Sequence, residues 1–224
     1  MERDIQSLDV EIKGVSLSKY GREPIYDGIV DLNTFISSKT KILWILKEVN
    51  SEDDEGDWSL RETIQNLKTE KGFKRGWGKT FSSIVYVSEG ILNDSVWDDI
   101  PYVYNDPNVI DVLKNIAFIN LKKVAGVSKS NPKELYEAYQ NYREILIKQV
   151  DLIDADITIF GGTYLYFKND FKSDNVKRFG SCNIFQIGDK IYIDAYHPQY
   201  IGITREIFFN DIISAIKSLK GSIS

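Results

Sequence analysis

Cysteine and histidine each occur once in the 224 residues, as Cys182 and His197, and Met1 is the single methionine. One cysteine excludes an internal disulfide, a four-cysteine zinc site and a cysteine-ligated iron–sulfur cluster within the chain. With one histidine as well, a nitrogen/sulfur metal centre cannot be assembled, so no metal is expected beyond a carboxylate-bound hard cation. No apolar run approaches a membrane span, and the charged start Met1-Glu-Arg-Asp4 is unlike a secretory signal; no membrane partner and a cytoplasmic location are expected. Neither a glycine-rich fingerprint nor a P-loop follows the first strand, so no cofactor is expected. A net charge of −5 argues against avid, nonspecific binding of a polyanion.

What is present suits an ordinary globular protein. The apolar fraction is 42% and the charged fraction 27%, enough for one domain over residues 1–224 with a real core. The charges are locally segregated: Glu52, Asp53, Asp54, Glu55 and Asp57 precede Lys68, Lys71, Lys74, Arg75 and Lys79. A solvated face is the simplest reading of each run.

Residues 1–40 show no clear period and read as an irregular, partly helical lead-in. Lys41 to Lys47 is the first strand, and its unbroken apolar run predicts burial on both faces, as in a parallel sheet. Helical spacing follows over Trp58–Lys68 and Thr80–Leu92, where Phe81 falls on the apolar side. Asp106-Pro107 caps a short helix to about Lys114, and Asn115–Leu121 is a second buried strand. Asn131-Pro-Lys-Glu134 opens the longest helix, to about Leu152. Asp156–Phe160 is a third strand, ended by Gly161-Gly162, with a further helix near Tyr164 to Asn169. Cys182–Ile187 and Lys190–Tyr196 straddle Gly188-Asp189 as a hairpin. A last helix runs over Thr204–Leu219, with Ile207, Phe208, Ile212, Ile213, Ile216 and Leu219 as its buried stripe.

Strands alternating with helices predict a three-layer α/β/α fold with a central, mainly parallel four-stranded sheet. Each strand then delivers its following loop to one edge, where ligands of such sheets bind. Glu48 and Asn50, Asn120 with Lys122 and Lys123, Gly161, and His197 with Gln199 gather there. A structural role competes at each position: His197 as a strand cap, Asn120 as a turn former, Glu48 as a loop acid, Phe81 as core.

In that order the strand ends resemble the uracil-DNA glycosylase superfamily over residues 41–215. Ile42–Asn50 is similar to its first-strand motif, Ile119-Asn-Leu-Lys122 to the strand ending in the base-reading asparagine, Asp156–Gly162 to the third strand with its glycine turn, and Tyr196-His-Pro-Gln199 to the histidine-proline-serine motif. The resemblance implies hydrolysis of the N-glycosidic bond of uracil or a related damaged base. It implies a hydrogen bond from His197 to the base oxygen that gains charge, base reading by Asn120, and stacking by Trp77 or Phe81. It also implies charge stabilisation by Glu48, and phosphate contacts from Lys74, Arg75, Lys79, Lys122 and Lys123. Lys47, Val49 and Asn50 stand where the family carries small residues or proline, Gln199 replaces serine, and a water-activating aspartate-proline-tyrosine is absent. A silent module of the same fold, holding a nucleotide, nucleic acid or protein, is the second expectation. An unrelated doubly wound domain acting on a small metabolite is the third.

Overall fold

The structure, a computed structural model, describes residues 1–50, 55–127 and 130–220; of the acidic run, Glu52, Asp53 and Asp54 lie outside the described residues. Four buried strands form the centre: β2 (Ile42–Leu46), β3 (Ile116–Asn120), β4 (Ile157–Gly161) and β7 (Lys190–Ala195), with β1 (Gly28–Ile29) and the pair β5 (Lys177–Phe179) and β6 (Cys182–Ile187) outside them. The sheet order is β1-β3-β2-β4-β7-β6-β5. The inner four are mutually parallel, whereas β1 pairs antiparallel with β3 and β6 antiparallel with β7 and β5. The sheet is therefore mixed and seven-stranded rather than a four-stranded parallel one. The additions are two or three residues long except for the hairpin partner β6, too short to show a period of their own.

Alternation along each inner strand sends residues to two cores. Ile42, Trp44, Ile116, Phe118, Ile159 and Ile193 face α4 (Gly78–Asn93) and α7 (Arg205–Lys220). Leu43, Ile45, Ala117, Ile119 and Phe160 face α1 (Glu2–Tyr20) and α5 (Pro132–Ile153). Helices thus cover both faces, as continuous apolar strands require. Among the described residues no helix is long and apolar enough to cross a membrane.

The amino-terminal region is not irregular. α1 is a 19-residue helix whose buried stripe is Leu8, Ile12 and Ser16, and Ser16 Oγ shares a 2.7 Å hydrogen bond with the Tyr142 hydroxyl. A polar residue at the third position of a four-residue spacing hides the apolar period. The helix expected over 58–68 shortens to α3 (Leu60–Gln65), because Trp58–Ser59 pairs in parallel with Ile25–Tyr26 and Lys68–Thr69 pairs with Gly72–Phe73. Asn131 caps α5 by accepting from the Lys133 N–H at 3.0 Å, with Pro132 first in the helix. In α7 the buried stripe includes Phe209 and Ala215, whereas Ile207 is exposed.

Candidate functional site

Register fixes where the strands stop. Leu46 lies opposite Asn120, and Gly161 opposite Ala195, so the loops after β2, β3, β4 and β7 leave from one edge. Beyond the strands the first two loops stay joined: Leu121 N–H donates to Leu46 O at 2.8 Å, Lys122 N–H to Lys47 O at 2.9 Å, and Gly126 N–H to Val49 O at 2.8 Å. The turn after β4 is fixed from both sides, with Thr163 Oγ1 donating to Ile45 O at 2.8 Å and Gly162 N–H to Ala195 O at 2.8 Å. Gly162 has φ +72, and a Cβ there would sit 3.3 Å from His197 N, so glycine lets the turn and the His197 loop approach.

Against this edge lies a cavity of about 450 Å³. Glu48, Asn50, Trp77, Phe81, Asn120, His197, Gln199 and Arg75 all reach its wall. The sheet edge supplies Glu48, Asn120 and His197, from chain positions more than 140 residues apart at the extremes, while α4 and the turn before it supply the aromatic side. The Trp77 and Phe81 rings are 5.6 Å apart, and Phe81 and Phe118 are 5.4 Å apart, making a continuous apolar flank. Phe81 is core, at 2% exposure, and it also borders the cavity.

His197 is fixed in its tautomer by geometry. Its Nδ1 accepts the Gln199 N–H at 3.2 Å, which leaves the ring proton on Nε2. Burial first, then the positive charge of Lys47, pushes its pKa down to about 4. The ring is therefore a neutral hydrogen-bond donor at neutral pH. Its loop is held by Ser83 Oγ donating to Pro198 O at 3.1 Å and by the Gln199 carboxamide donating to Thr80 Oγ1.

Asn120 is 3% exposed, and its carboxamide has no hydrogen-bond partner among the described residues, although it borders the cavity. Its amide atoms are not among the described side-chain atoms that are both shut off from solvent and unpaired, so they face cavity water, which a ligand's edge can replace. Its backbone is anchored from below: Asn120 N–H donates to Asp27 Oδ2 at 2.7 Å. Asp27 in turn takes both Lys123 Nζ contacts, at 2.8 and 2.9 Å, and the Gln149 carboxamide at 3.1 Å.

The Glu48 carboxylate is 4% exposed and lies 3.7 Å from Lys122 Nζ. It rests against Gly126, where an added Cβ would come within 2.6 Å of its Cγ and Cδ.

Several expected placements fail. Lys123 is wholly buried in its pair with Asp27, and burial pushes its ammonium below the ordinary lysine range, so it meets no phosphate. Lys122 is 10% exposed and engaged with Glu48 and Glu134, which removes it from the phosphate-contacting set as well. Gly161 does not reach the cavity wall; a Cβ there would meet Leu46 Cδ2 at 2.3 Å and Pro198 at 3.1 Å, so it serves the close packing beneath the site. Lys74 and Lys79 are exposed but off the wall, and only Arg75 of the basic run borders the mouth.

Sequence reasoning missed Phe118, Asp27 and Lys47. Phe118 was within reach, since it lies two residues before Asn120 on β3 and must share its face. Lys47 also lines the cavity. Past Gln199 the chain turns outward: Tyr196 and Tyr200 stack at 4.2 Å and Ile201 is 97% exposed. No group of three or more histidine, cysteine or carboxylate side chains among the described residues could hold a metal.

No protein-family model matches the chain, and neither does any curated protein. What the site does must be argued from its own geometry.

Proposed function

We propose that this protein is a base hydrolase of the uracil-DNA glycosylase type, cleaving the N-glycosidic bond of uracil or a related damaged base. The observation that carries the reading is that Glu48, Trp77, Asn120 and His197, scattered through the chain, wall one cavity of about 450 Å³, roomy enough for a base and its sugar. An extruded base stacks on the Trp77–Phe81 side, a contact worth about 1–3 kcal/mol. The unpaired Asn120 carboxamide offers a donor and an acceptor to an imide edge. His197 Nε2–H donates to the carbonyl oxygen that becomes negative as the bond breaks, a contribution of roughly 3 kcal/mol once the bound base has displaced the cavity water. Glu48, on the cavity wall, serves as a fixed negative charge for the cationic sugar. Arg75 at the mouth suits a phosphate, and Ile201 is an exposed aliphatic of the kind that wedges between base steps.

The test is release of free base from single- and double-stranded oligonucleotides carrying uracil, hypoxanthine or other deaminated and oxidised bases. Release from at least one, reduced about 10²–10³-fold in His197→Ala, is expected. No release from the whole panel would end the reading as an enzyme.

One observation favours a second reading, a silent binding module. Glu48 is partly neutralised by Lys122 and withdrawn from solvent, which weakens it as an activator of water. In that case a nucleotide or single strand raises the unfolding temperature but is recovered unchanged, and stabilisation at a hundredfold excess over Kd is about 2.7 kcal/mol.

A further inference from the structure

Lys47 is the one cation of the inner wall that the proposed chemistry leaves unused. It lies immediately after β2, lines the cavity, and makes no side-chain hydrogen bond or ion pair among the described residues. The nearest wall carboxylate, Glu48, is engaged by Lys122 instead. Its Cε is 3.6 Å from the Cβ position at Gly162, which is itself 3.4 Å from His197 Cβ, so the lysine and the imidazole flank one turn. The sheet edge thus presents an ammonium, an Nε2–H and an unpaired carboxamide, with one uncommitted acceptor, Asn120 Oδ1, among them.

We propose that Lys47 and His197 form a single anion-binding subsite at the sheet edge of the cavity, and that its ligand is a planar cyclic imide bearing negative charge on the ring. This rests on the base-binding reading and adds to it the ligand's charge. A partly buried ammonium without a counter-ion among the described residues favours a ligand that supplies one, the more so once the ligand has displaced the cavity water. Because Lys47 disfavours protonation of His197, the positive charge of the subsite comes from the lysine and the ring supplies only a directed hydrogen bond. The charge is assigned to the ring rather than to a phosphate because Lys47 and His197 both line the cavity just beyond strand ends, on walls that also hold Trp77, Phe81 and Phe118. The cation placed for a phosphate is the exposed Arg75 at the mouth.

The experiment is isothermal titration calorimetry on the full chain at pH 7.5 with uracil, neutral at that pH, and with barbituric acid and 5-nitrouracil, both ionised on the ring. Wild-type protein should bind the two anions at least tenfold more tightly than uracil, about 1.4 kcal/mol. Lys47→Met should bring the three within about twofold by weakening the two anions selectively, and Lys47→Arg should retain the preference. Should Lys47→Met fail to fold, Lys47→Gln takes its place. Equal affinities in the wild type, or a preference that survives loss of the charge, would overturn the inference while leaving base binding intact. Uridine monophosphate or inorganic phosphate binding through Lys47 in place of the ring anions would overturn the ring assignment. Binding of none of the three rings would remove the base-binding reading itself, and the inference with it.

Discussion

The neutral state of His197 gives the sharpest prediction, because the chain has no second histidine to confuse the measurement. The perturbation is pH alone. Above about 6.5 the imidazole is neutral in the folded and unfolded chains alike. Between 6.5 and about 4 the unfolded chain binds a proton that the folded site refuses, because burial and then Lys47 disfavour the cation. The unfolded state holds more protons in that window, so stability from this group falls as pH drops through it and is lost by about pH 4. At about 1.36 kcal/mol per pH unit the full loss is roughly 3 kcal/mol, an upper bound since the ring borders a water-accessible cavity. The assay is a one-dimensional proton titration of the single C2–H resonance, with urea unfolding at pH 7 and 4.5. The resonance should stay at its neutral position down to about pH 5, and the wild type should lose about 2 kcal/mol more than His197→Gln between the two pH values. A midpoint near 6.5, or identical losses in the two proteins, would refute both the burial of the ring and the influence of Lys47.

Three further predictions concern the framework. Lys123→Met leaves the Asp27 carboxylate buried without its ammonium and should cost about 3–5 kcal/mol by urea unfolding; adding Asp27→Asn, which keeps an acceptor for the Asn120 N–H, should recover at least half, and a double variant no better than the single refutes the pair as the source. Asn120→Leu removes an amide that has no protein partner among the described residues but reaches cavity water, and should leave stability within about 1 kcal/mol of wild type while abolishing base binding; a loss of about 2 kcal/mol or more would mean that Asn120 is instead a structural turn former. Gly126→Ala should displace Glu48 and lower base release with about 1–2 kcal/mol of destabilisation, whereas Gly90→Ala, whose Cβ would meet the Phe209 ring at 2.5 Å, should cost about 1–3 kcal/mol and leave the pocket's affinity unchanged. Equal effects of the two glycine variants on base release would place the loss in global stability.

The inner four strands were legible because each is a short apolar run stopped by a polar residue, glycine or a proline turn, too short for a helix and without the alternation of a half-exposed strand. Their common edge followed from the alternation with helices, and with it the company of Glu48, Asn120 and His197. The outer strands were not legible. β1 is two residues long and contains Gly28, so it has neither period nor propensity. α1 hid behind Ser16, whose hydroxyl is paired with Tyr142 126 residues away, a partner no local window can see. The same blindness explains Lys122 and Lys123. A lysine pair after a strand reads as a solvated cationic patch, yet Lys123 turns inward to an aspartate 96 residues earlier and Lys122 turns to Glu48 and Glu134.

That inward turn bears on what the site is built to do. A buried pair such as Asp27–Lys123 contributes little net stability compared with apolar residues of the same volume. Here its carboxylate accepts the N–H of Asn120, so the pair fixes the strand end that carries the unsatisfied carboxamide. On the other side, the Gly162 turn and the Ser83 and Gln199 contacts fix the loop that carries His197. A strand end and a loop are thus each immobilised by contacts of their own, while the Asn120 amide, the His197 Nε2–H and the Lys47 ammonium at the cavity are left without protein partners among the described residues. Satisfied supports behind unsatisfied tips are what preorganisation requires, because the tips then bind without first giving up bonds of their own. A merely structural histidine or asparagine would have its bonding capacity used within the fold. That difference separates a ligand site from a well-packed strand edge, and it makes loss of base binding at unchanged stability on truncating Asn120 the more decisive of the framework tests.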